Sequence, residues 1–382
     1  MNKRPLRVCL IATEFKGIGA YGGFGVLTYD IANGLAAKGL DVYVAMPRQD
    51  SQAPIERIGE VTIVSYPSSL YVGMKHARAY SGIYSMIDAA IYHSQEAALG
   101  TVLAQFALPR RKHLVSLIDP RNFHDWTVEW AHDNHNTGRL RILRWKYGVL
   151  RYYIKYQLET GRGTRHADGV YCHTKHIIEK AQKMFHLATR PGFLPSPTHM
   201  FDMRSSKAEH PTVCYVGRWD ERKRPELFLE LAAKCQTVNF LAAGGCLGNQ
   251  KRDKELRQRF RALKNVEVPG WLGERERAEI LDRAWVLVNT SSREGLPVTY
   301  LEAGAHKCAI LSHCNADDFA SSFGFWAQKG DLYDYEQGLK FLLAENRCKV
   351  LGERAYNYVR NTHEYSRVID QHVEIYERIL ER

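Results

Sequence analysis

Short apolar runs of five or six residues alternate along this chain with longer stretches in which apolar positions recur every three to four residues. Arg7-Val8-Cys9-Leu10-Ile11-Ala12-Thr13 reads as a buried first strand. The helical pattern that follows, Val26 to Lys38, stops at Gly39, and Asp41-Val42-Tyr43-Val44-Ala45-Met46 gives the next strand. Leu114-Val115-Ser116-Leu117-Ile118 is another strand. The second half repeats the plan, with strands over Val213–Gly217, Val238–Ala243, Val266–Gly270, Trp285–Thr290 and Cys308–His313. Between them the periodicity predicts helices from near Pro225, over Lys251–Leu263, near Arg275–Ala284 and after Pro297. Regular alternation of strand and helix predicts an α/β protein with parallel sheets and right-handed crossovers.

Three strand-to-helix junctions carry candidate chemistry. At Arg293-Glu294-Gly295-Leu296-Pro297-Val298-Thr299-Tyr300-Leu301-Glu302-Ala303, Pro297 suits the first turn of a helix, placing Glu294 in the loop and Glu302 within the helix. Ligands gather at the carboxyl ends of strands in open α/β sheets, and ionised carboxylates there can accept hydrogen bonds from sugar and ribose hydroxyls. A solvated charge and a capping residue explain such a pair equally well when it stands alone. Upstream, Val213-Cys214-Tyr215-Val216-Gly217-Arg218-Trp219-Asp220-Glu221-Arg222-Lys223-Arg224-Pro225 leaves a strand through a glycine into a basic loop. Arg218 and Lys223 flank the helix entrance, where two cations can neutralise a diphosphate without a metal. In the first half, the loop after the first strand contains Gly17, Gly19, Gly22, Gly23 and Gly25. Glycines permit close approach of backbone amides to a phosphate. The spacing is neither a dinucleotide fingerprint nor a P-loop, so an ordinary flexible loop remains the competing explanation.

Together these residues resemble the retaining glycosyltransferases of family four, which have the GT-B fold: two Rossmann-like domains facing a central cleft. The motifs are Gly22-Gly23-Phe24-Gly25, Gly217-Arg218 with Lys223, and Glu294-Gly295-Leu296-Pro297 with Glu302-Ala303. The resemblance spans nearly the whole chain, helped by His166-Ala167-Asp168-Gly169-Val170, Leu194-Pro195-Ser196-Pro197 and Val268-Pro269-Gly270-Trp271-Leu272-Gly273. It implies an acceptor-side domain over residues 1–198, a donor-binding domain over 199–364, and a last segment, 365–382, crossing back to the first domain. Prolines 191, 195, 197 and 211 interrupt periodicity where the junction falls.

What the resemblance implies for chemistry is transfer of a sugar from a nucleoside diphosphate to a hydroxyl on a glycan, lipid or small molecule. A UDP-sugar is slightly favoured, while no residue distinguishes uridine from guanosine or adenosine donors. The anomeric configuration would be kept, with no cofactor and no metal. Arg218, Lys223 and the Gly22-Gly23 amides would stabilise the leaving phosphate. Glu294 would hold sugar hydroxyls and Glu302 ribose hydroxyls. Gly217, Gly295, Leu296, Pro297 and Val298 would complete the donor contacts. Many relatives have a histidine at the end of the strand Leu114–Ile118, where this chain offers Asp119. That residue is either an acceptor contact and base or a turn cap. The segment His306-Lys307-Cys308 also departs from the Gly-x-Pro turn that relatives often carry before the next strand. An isomerase or phosphorylase on the same fold and a noncatalytic nucleotide-binding scaffold are the rival assignments.

Length and charge refine the picture. The 382 residues suit two α/β domains better than one. A net charge of +11 invites a nucleic-acid reading, but no nucleic-acid module accompanies it. The basic residues concentrate in Arg139-Leu140-Arg141-Ile142-Leu143-Arg144-Trp145-Lys146-Tyr147 and on through Arg151, Tyr152, Tyr153, Lys155 and Tyr156. At helical spacing this is either a core-packing helix with a solvated basic face, a helix resting on anionic lipid, or a surface for an anionic acceptor. No run of about eighteen apolar residues occurs, and Met1-Asn2-Lys3-Arg4-Pro5 leads straight into the first strand. The expectation is a cytoplasmic protein, or one peripheral at the inner face of the membrane. Eight dispersed cysteines read as reduced structural thiols. His132-Asp133-Asn134-His135 can be drawn as a metal site but lacks an established ligand spacing, and the expectation is no metal.

Overall fold

The computed structural model describes residues 5–19, 21–49, 52–66, 77–127, 139–200 and 206–382. His132, Asp133, Asn134 and His135 lie outside the described residues. The chain divides into two compact units, residues 1–197 with 366–382, and residues 198–365.

The first unit is built on β1 (Arg7–Ile11), β2 (Asp41–Pro47), β3 (Ile55–Ile58), β4 (Val61–Tyr66), β5 (Ile91–Gln95), β6 (Lys112–Leu117), β7 (Gly169–Cys172) and β8 (Gly192–Phe193). They form one eight-stranded sheet in the order β3-β4-β2-β1-β5-β6-β7-β8. Val8 of β1 sits opposite Val42 on one side and Ile91 on the other, both in parallel register. The expectation of parallel sheets needs one correction. β3 pairs antiparallel with β4 through a tight turn at Gly59, whose φ is +59°. A connection of two residues is too short for a crossover, so the pair can only be a hairpin. Residues Val8 to Leu10 are fully buried, as expected for a central strand covered on both faces.

The helix Tyr365–Leu380 packs its apolar stripe, Val368, Ile369, Ile375, Tyr376 and Ile379, into the core. Its place in the first unit is fixed by a polar contact inside that core. His93 on β5 is fully buried between the Tyr376 hydroxyl at 2.8 Å and Ser116 Oγ at 2.7 Å, with the His372 ring centroid 5.7 Å away. Burial lowers both histidines, His372 to about 4, and His93 further feels the neighbouring imidazoles. A histidine lowered by folding binds its proton more readily when unfolded. The stability it contributes is therefore present above about pH 6.5 and is lost as pH falls through the window down to the folded value. We expect the melting temperature to drop between pH 7.5 and pH 5, and His372→Leu to flatten that drop in a pH series of thermal melts.

The second unit carries β9 (Thr212–Arg218), β10 (Asn239–Gly245), β11 (Val266–Gly270), β12 (Val286–Asn289), β13 (Ala309–Ser312) and β14 (Gly324–Trp326). All pair in parallel, in the order β11-β10-β9-β12-β13-β14. Trp219, Phe228, Phe240, Phe260 and Tyr335 belong to one core cluster, and Tyr300, Leu301 and Phe319 to a second. Before β13, the turn that departs from Gly-x-Pro places Lys307 in the left-handed region at φ +57°. The Lys207 ammonium holds that turn by donating to the carbonyls of Leu281 at 3.0 Å, Ala284 at 2.5 Å and His306 at 2.6 Å. The strand is thus kept with different entry chemistry.

The helix Arg139–Tyr156 forms as its periodicity predicts, and Tyr147, Leu150 and Ile154 are exposed along it. Among the described residues no helix is long and apolar enough to cross a membrane. All eight cysteines are free thiols.

Candidate active site

In each sheet the strand order reverses at one place, between β1 and β5 in the first unit and between β9 and β12 in the second. Crossovers leave in opposite directions there, so the loops at the carboxyl ends part and open a crevice. The candidate residues of the second unit lie at the end of β9, on the loops after β9 and β12, and in the helix that follows β12.

Gly217 and Arg218 close β9, and the chain turns through Glu221–Lys223 into the helix Pro225–Lys234. Asp220 organises the turn. Its Oδ1 accepts the Lys223 backbone N–H at 3.1 Å, and its Oδ2 lies 3.4 Å from the Arg218 guanidinium. Arg224 occupies the left-handed region at φ +47°. From there its guanidinium donates to Thr290 O at 2.5 Å and Gly330 O at 3.0 Å. Thr290 Oγ1 donates to Lys223 O at 2.7 Å, and Ser292 N to Arg222 O at 2.8 Å. These bonds lace the loop after β9 to the loop after β12.

The lacing brings Lys223 and Glu294 together. The Lys223 ammonium donates to Glu294 Oε1, and the same oxygen accepts from Ser291 Oγ at 2.7 Å. Ser291 is held in turn by its amide bond to Asn289 Oδ1 at 2.9 Å. Glu294 has only 15% of its side chain exposed and Lys223 27%. Both bonds fall on Oε1, so among the described residues Oε2 remains available to a hydroxyl donor. Beneath them the Cys314 thiol donates to Ser291 O at 3.3 Å, and burial, helped by the Glu294 charge, pushes that thiol up to about 12. It stays protonated and is no nucleophile.

Gly295, Leu296, Pro297 and Val298 are half-buried, and Pro297 is the extended residue immediately before the helix Val298–Ala305. The sequence pattern placed it one residue later, inside the first turn; its ψ of 134° is extended and excludes it from the helix. The first amides of the helix have no partner within it. Glu302 lies within the helix, where its carboxylate meets the Arg277 guanidinium at 2.9 Å. Asp220, Ser291 and Arg277 escaped the sequence reading. Asp220 carried a usable signal, an Asp three residues before the end of a tight turn; Arg277 comes from a separate helix and had none.

The first-unit candidates lie elsewhere in the fold. Gly22 and Gly23 begin the helix Gly23–Ala37, as the glycine-rich loop suggested, but the Gly22 amide donates to Glu14 Oε2 at 2.8 Å. A phosphate can take that amide only by displacing the carboxylate. Asp119 follows β6 and is bound to Arg121 Nε at 2.8 Å. Beside it, Glu96 at the end of β5 went unnoticed in the sequence. Its Oε2 accepts the Ile118 amide at 2.7 Å, and burial raises its carboxyl to about 7.

No curated protein sequence matches this chain. Residues 210–345 match the family described as glycosyl transferases group 1. Among solved structures, sucrose-phosphate synthase from Thermosynechococcus elongatus superposes with a TM-score of 0.75 at 15% identity, covering 98% of this chain and 99% of its own. A glycosyltransferase from Rickettsia africae gives 0.70 at 12% identity over 100% of both chains. HepE from Anabaena, solved in complex with UDP-glucose, gives 0.66 at 13% identity over 97% of this chain and 99% of its own. At these identities the structures speak for the fold, and the family match speaks for the second unit. Residues 210–345 thus match the glycosyl transferases group 1 family, and the chain as a whole has the GT-B fold of these solved structures.

Proposed function

We propose that the chain is a retaining, metal-independent transferase that moves a sugar from a nucleoside diphosphate to a hydroxyl, with the second-unit residues holding the donor. The observation that carries this reading is the Lys223–Glu294 contact at the strand-order reversal, in the turn where Asp220 binds both the Arg218 guanidinium and the Lys223 amide, with the helix Val298–Ala305 starting four residues after Glu294. Cleavage of the glycosidic bond builds negative charge on the departing diphosphate and positive charge on the sugar ring. Arg218 and Lys223 meet the first with fixed cations, which is the part a divalent metal plays in other transferases. The amides at the start of the helix Val298–Ala305 add donors that cost no reorganisation. Glu294 Oε2 accepts sugar hydroxyls, and Glu302, turned by Arg277, accepts ribose hydroxyls.

By resemblance to the family, the route is a same-face one in which the leaving phosphate assists the incoming hydroxyl, and the protonated Cys314 thiol beneath Glu294 is no competing nucleophile. We favour uridine slightly as the base, because HepE, a neighbour in fold, was solved with UDP-glucose. Calorimetric titration of nucleoside diphosphates in the presence of a chelator tests the donor site. The absence of binding to any of them would defeat the reading.

A further inference from the structure

The helices Glu274–Arg283 and Val298–Ala305 of the second unit are tied to each other at three levels. The first tie is the half-buried Arg277–Glu302 contact at 2.9 Å. One turn further along the second helix, His306 Nδ1 lies 2.7 Å from Asp282 Oδ1, with only 3% and 4% of the two side chains exposed. The third tie is the Lys207 ammonium, which donates to Leu281 O and Ala284 O at the end of one helix and to His306 O at the end of the other. Neither Asp282 nor His306 has a part in the chemistry described so far.

His306 is coupled to Glu302 through the backbone as well. Its N–H donates to Glu302 O at 3.1 Å and closes the last turn of the helix. Whatever holds the imidazole therefore holds the turn that carries the carboxylate. Burial lowers the imidazole more than the Asp282 carboxylate raises it, so His306 is uncharged near neutral pH and its Nδ1–H donates to the carboxylate. Such a buried pair is costly to desolvate and adds little or no stability over apolar groups of the same volume. It does impose a register, since the bond forms in one rotation and at one axial position of the helix. Past Glu302 the helix buries only small residues, Ala303, Gly304 and Ala305, so no large side chain fixes the register at that end. A slip of one residue would turn Glu302 by about 100° away from Arg277.

We propose that Asp282 and His306 are positioning residues for the donor ribose: their buried bond fixes the register of the helix Val298–Ala305 against Glu274–Arg283 and so aims the Glu302 carboxylate, with Arg277, at the ribose hydroxyls. The inference rests on the reading that Glu302 meets the ribose, and its test separates the two. The pair is this chain's own device, because His306 opens the segment His306-Lys307-Cys308 that stands in place of the Gly-x-Pro turn.

The experiment is calorimetric titration of the full chain, with chelator, against UDP, GDP and ADP and the 2′,3′-dideoxy form of each. The native protein should bind one of the three about tenfold more tightly than its dideoxy form. It is compared with Asp282→Ala and with the double variant Asp282→Leu, His306→Phe. The first leaves the imidazole N–H buried without its acceptor and can unfold the unit, whereas the second fills the space with apolar groups, a change that buried pairs tolerate. Thermal melts establish which variants are folded. Each folded variant should bind the full nucleotide as weakly as the dideoxy form, with dideoxy affinity native, since Arg218 and Lys223 lie on another loop. Adding Glu302→Ala to the double variant should weaken binding no further. The inference is overturned if the double variant keeps the native preference for the ribose hydroxyls, or if both nucleotide forms weaken equally, as general damage to the unit would make them. A native protein that binds none of the three, or that binds one without preferring it to its dideoxy form, removes the ribose role of Glu302 and this inference with it. The reading thus fails in the native protein, and the inference alone fails in the variants.

Discussion

Glu294→Gln is expected to lower kcat by about 10²–10³-fold while leaving the melting temperature within a few degrees of the native value. The substitution keeps the shape of the side chain, and the amide oxygen can still accept from Ser291 Oγ, which lies 2.7 Å from Glu294 Oε1. It removes the charge that holds the Lys223 ammonium and the second acceptor oxygen presented to the donor sugar. Loss of a charged acceptor that strengthens its bonds as the ring becomes cationic corresponds to about 3–4 kcal/mol of barrier. The pair is also coupled. Lys223→Met alone should cost a similar factor, and the double variant should cost far less than the product of the two, since each residue positions the other. Steady-state rates for the four proteins, with melting curves, check this. A Glu294→Gln enzyme with native turnover would show that the carboxylate has no part in the chemistry.

Gly244→Ala should destabilise the second unit by about 3 kcal/mol or more. Gly244 lies on β10 at φ +133°, directly beside Gly217 on β9. A Cβ at that position would fall 1.8 Å from Gly217 O and 3.2 Å from the Trp219 indole nitrogen. Backbone and a fully buried tryptophan cannot move aside cheaply, and the left-handed conformation is itself strained for alanine. The two strands must separate, which shifts Arg218 at the end of β9. The measurement is thermal and urea unfolding followed by Trp219-sensitive fluorescence, with UDP affinity alongside. Unchanged stability would mean that β9 and β10 do not approach as closely as described.

The alternation of apolar runs and helical periodicity was enough to predict most strands of the second unit to within one or two residues, because parallel strands buried on both faces read as unbroken apolar runs. The β3–β4 hairpin was less legible, since Ile55-Glu56-Arg57-Ile58 is half exposed at the sheet edge and shows no such run. The second-unit residues were legible as motifs, yet the sequence could not show that Lys223 and Glu294 touch, because that contact depends on Arg224 and Thr290 lacing two loops that lie far apart in the chain. Glu96 was invisible for a different reason. It is a single carboxylate with no partner motif, and its unusual conformation and raised titration arise from burial at the end of β5. The long basic helix kept its several readings, since a periodic stripe fixes which face is apolar and leaves open what covers it.

The most direct test of the central claim is calorimetric titration of the chain with UDP, GDP, ADP and TDP in the presence of chelator, for the native protein and for Glu302→Ala. The account predicts that one diphosphate binds without metal and that Glu302→Ala weakens it by about tenfold or more, through loss of the ribose contact next to Arg277. No binding to any of the four, or binding that appears only when a divalent metal is restored, would contradict a donor site built from Arg218, Lys223, Glu294 and Glu302.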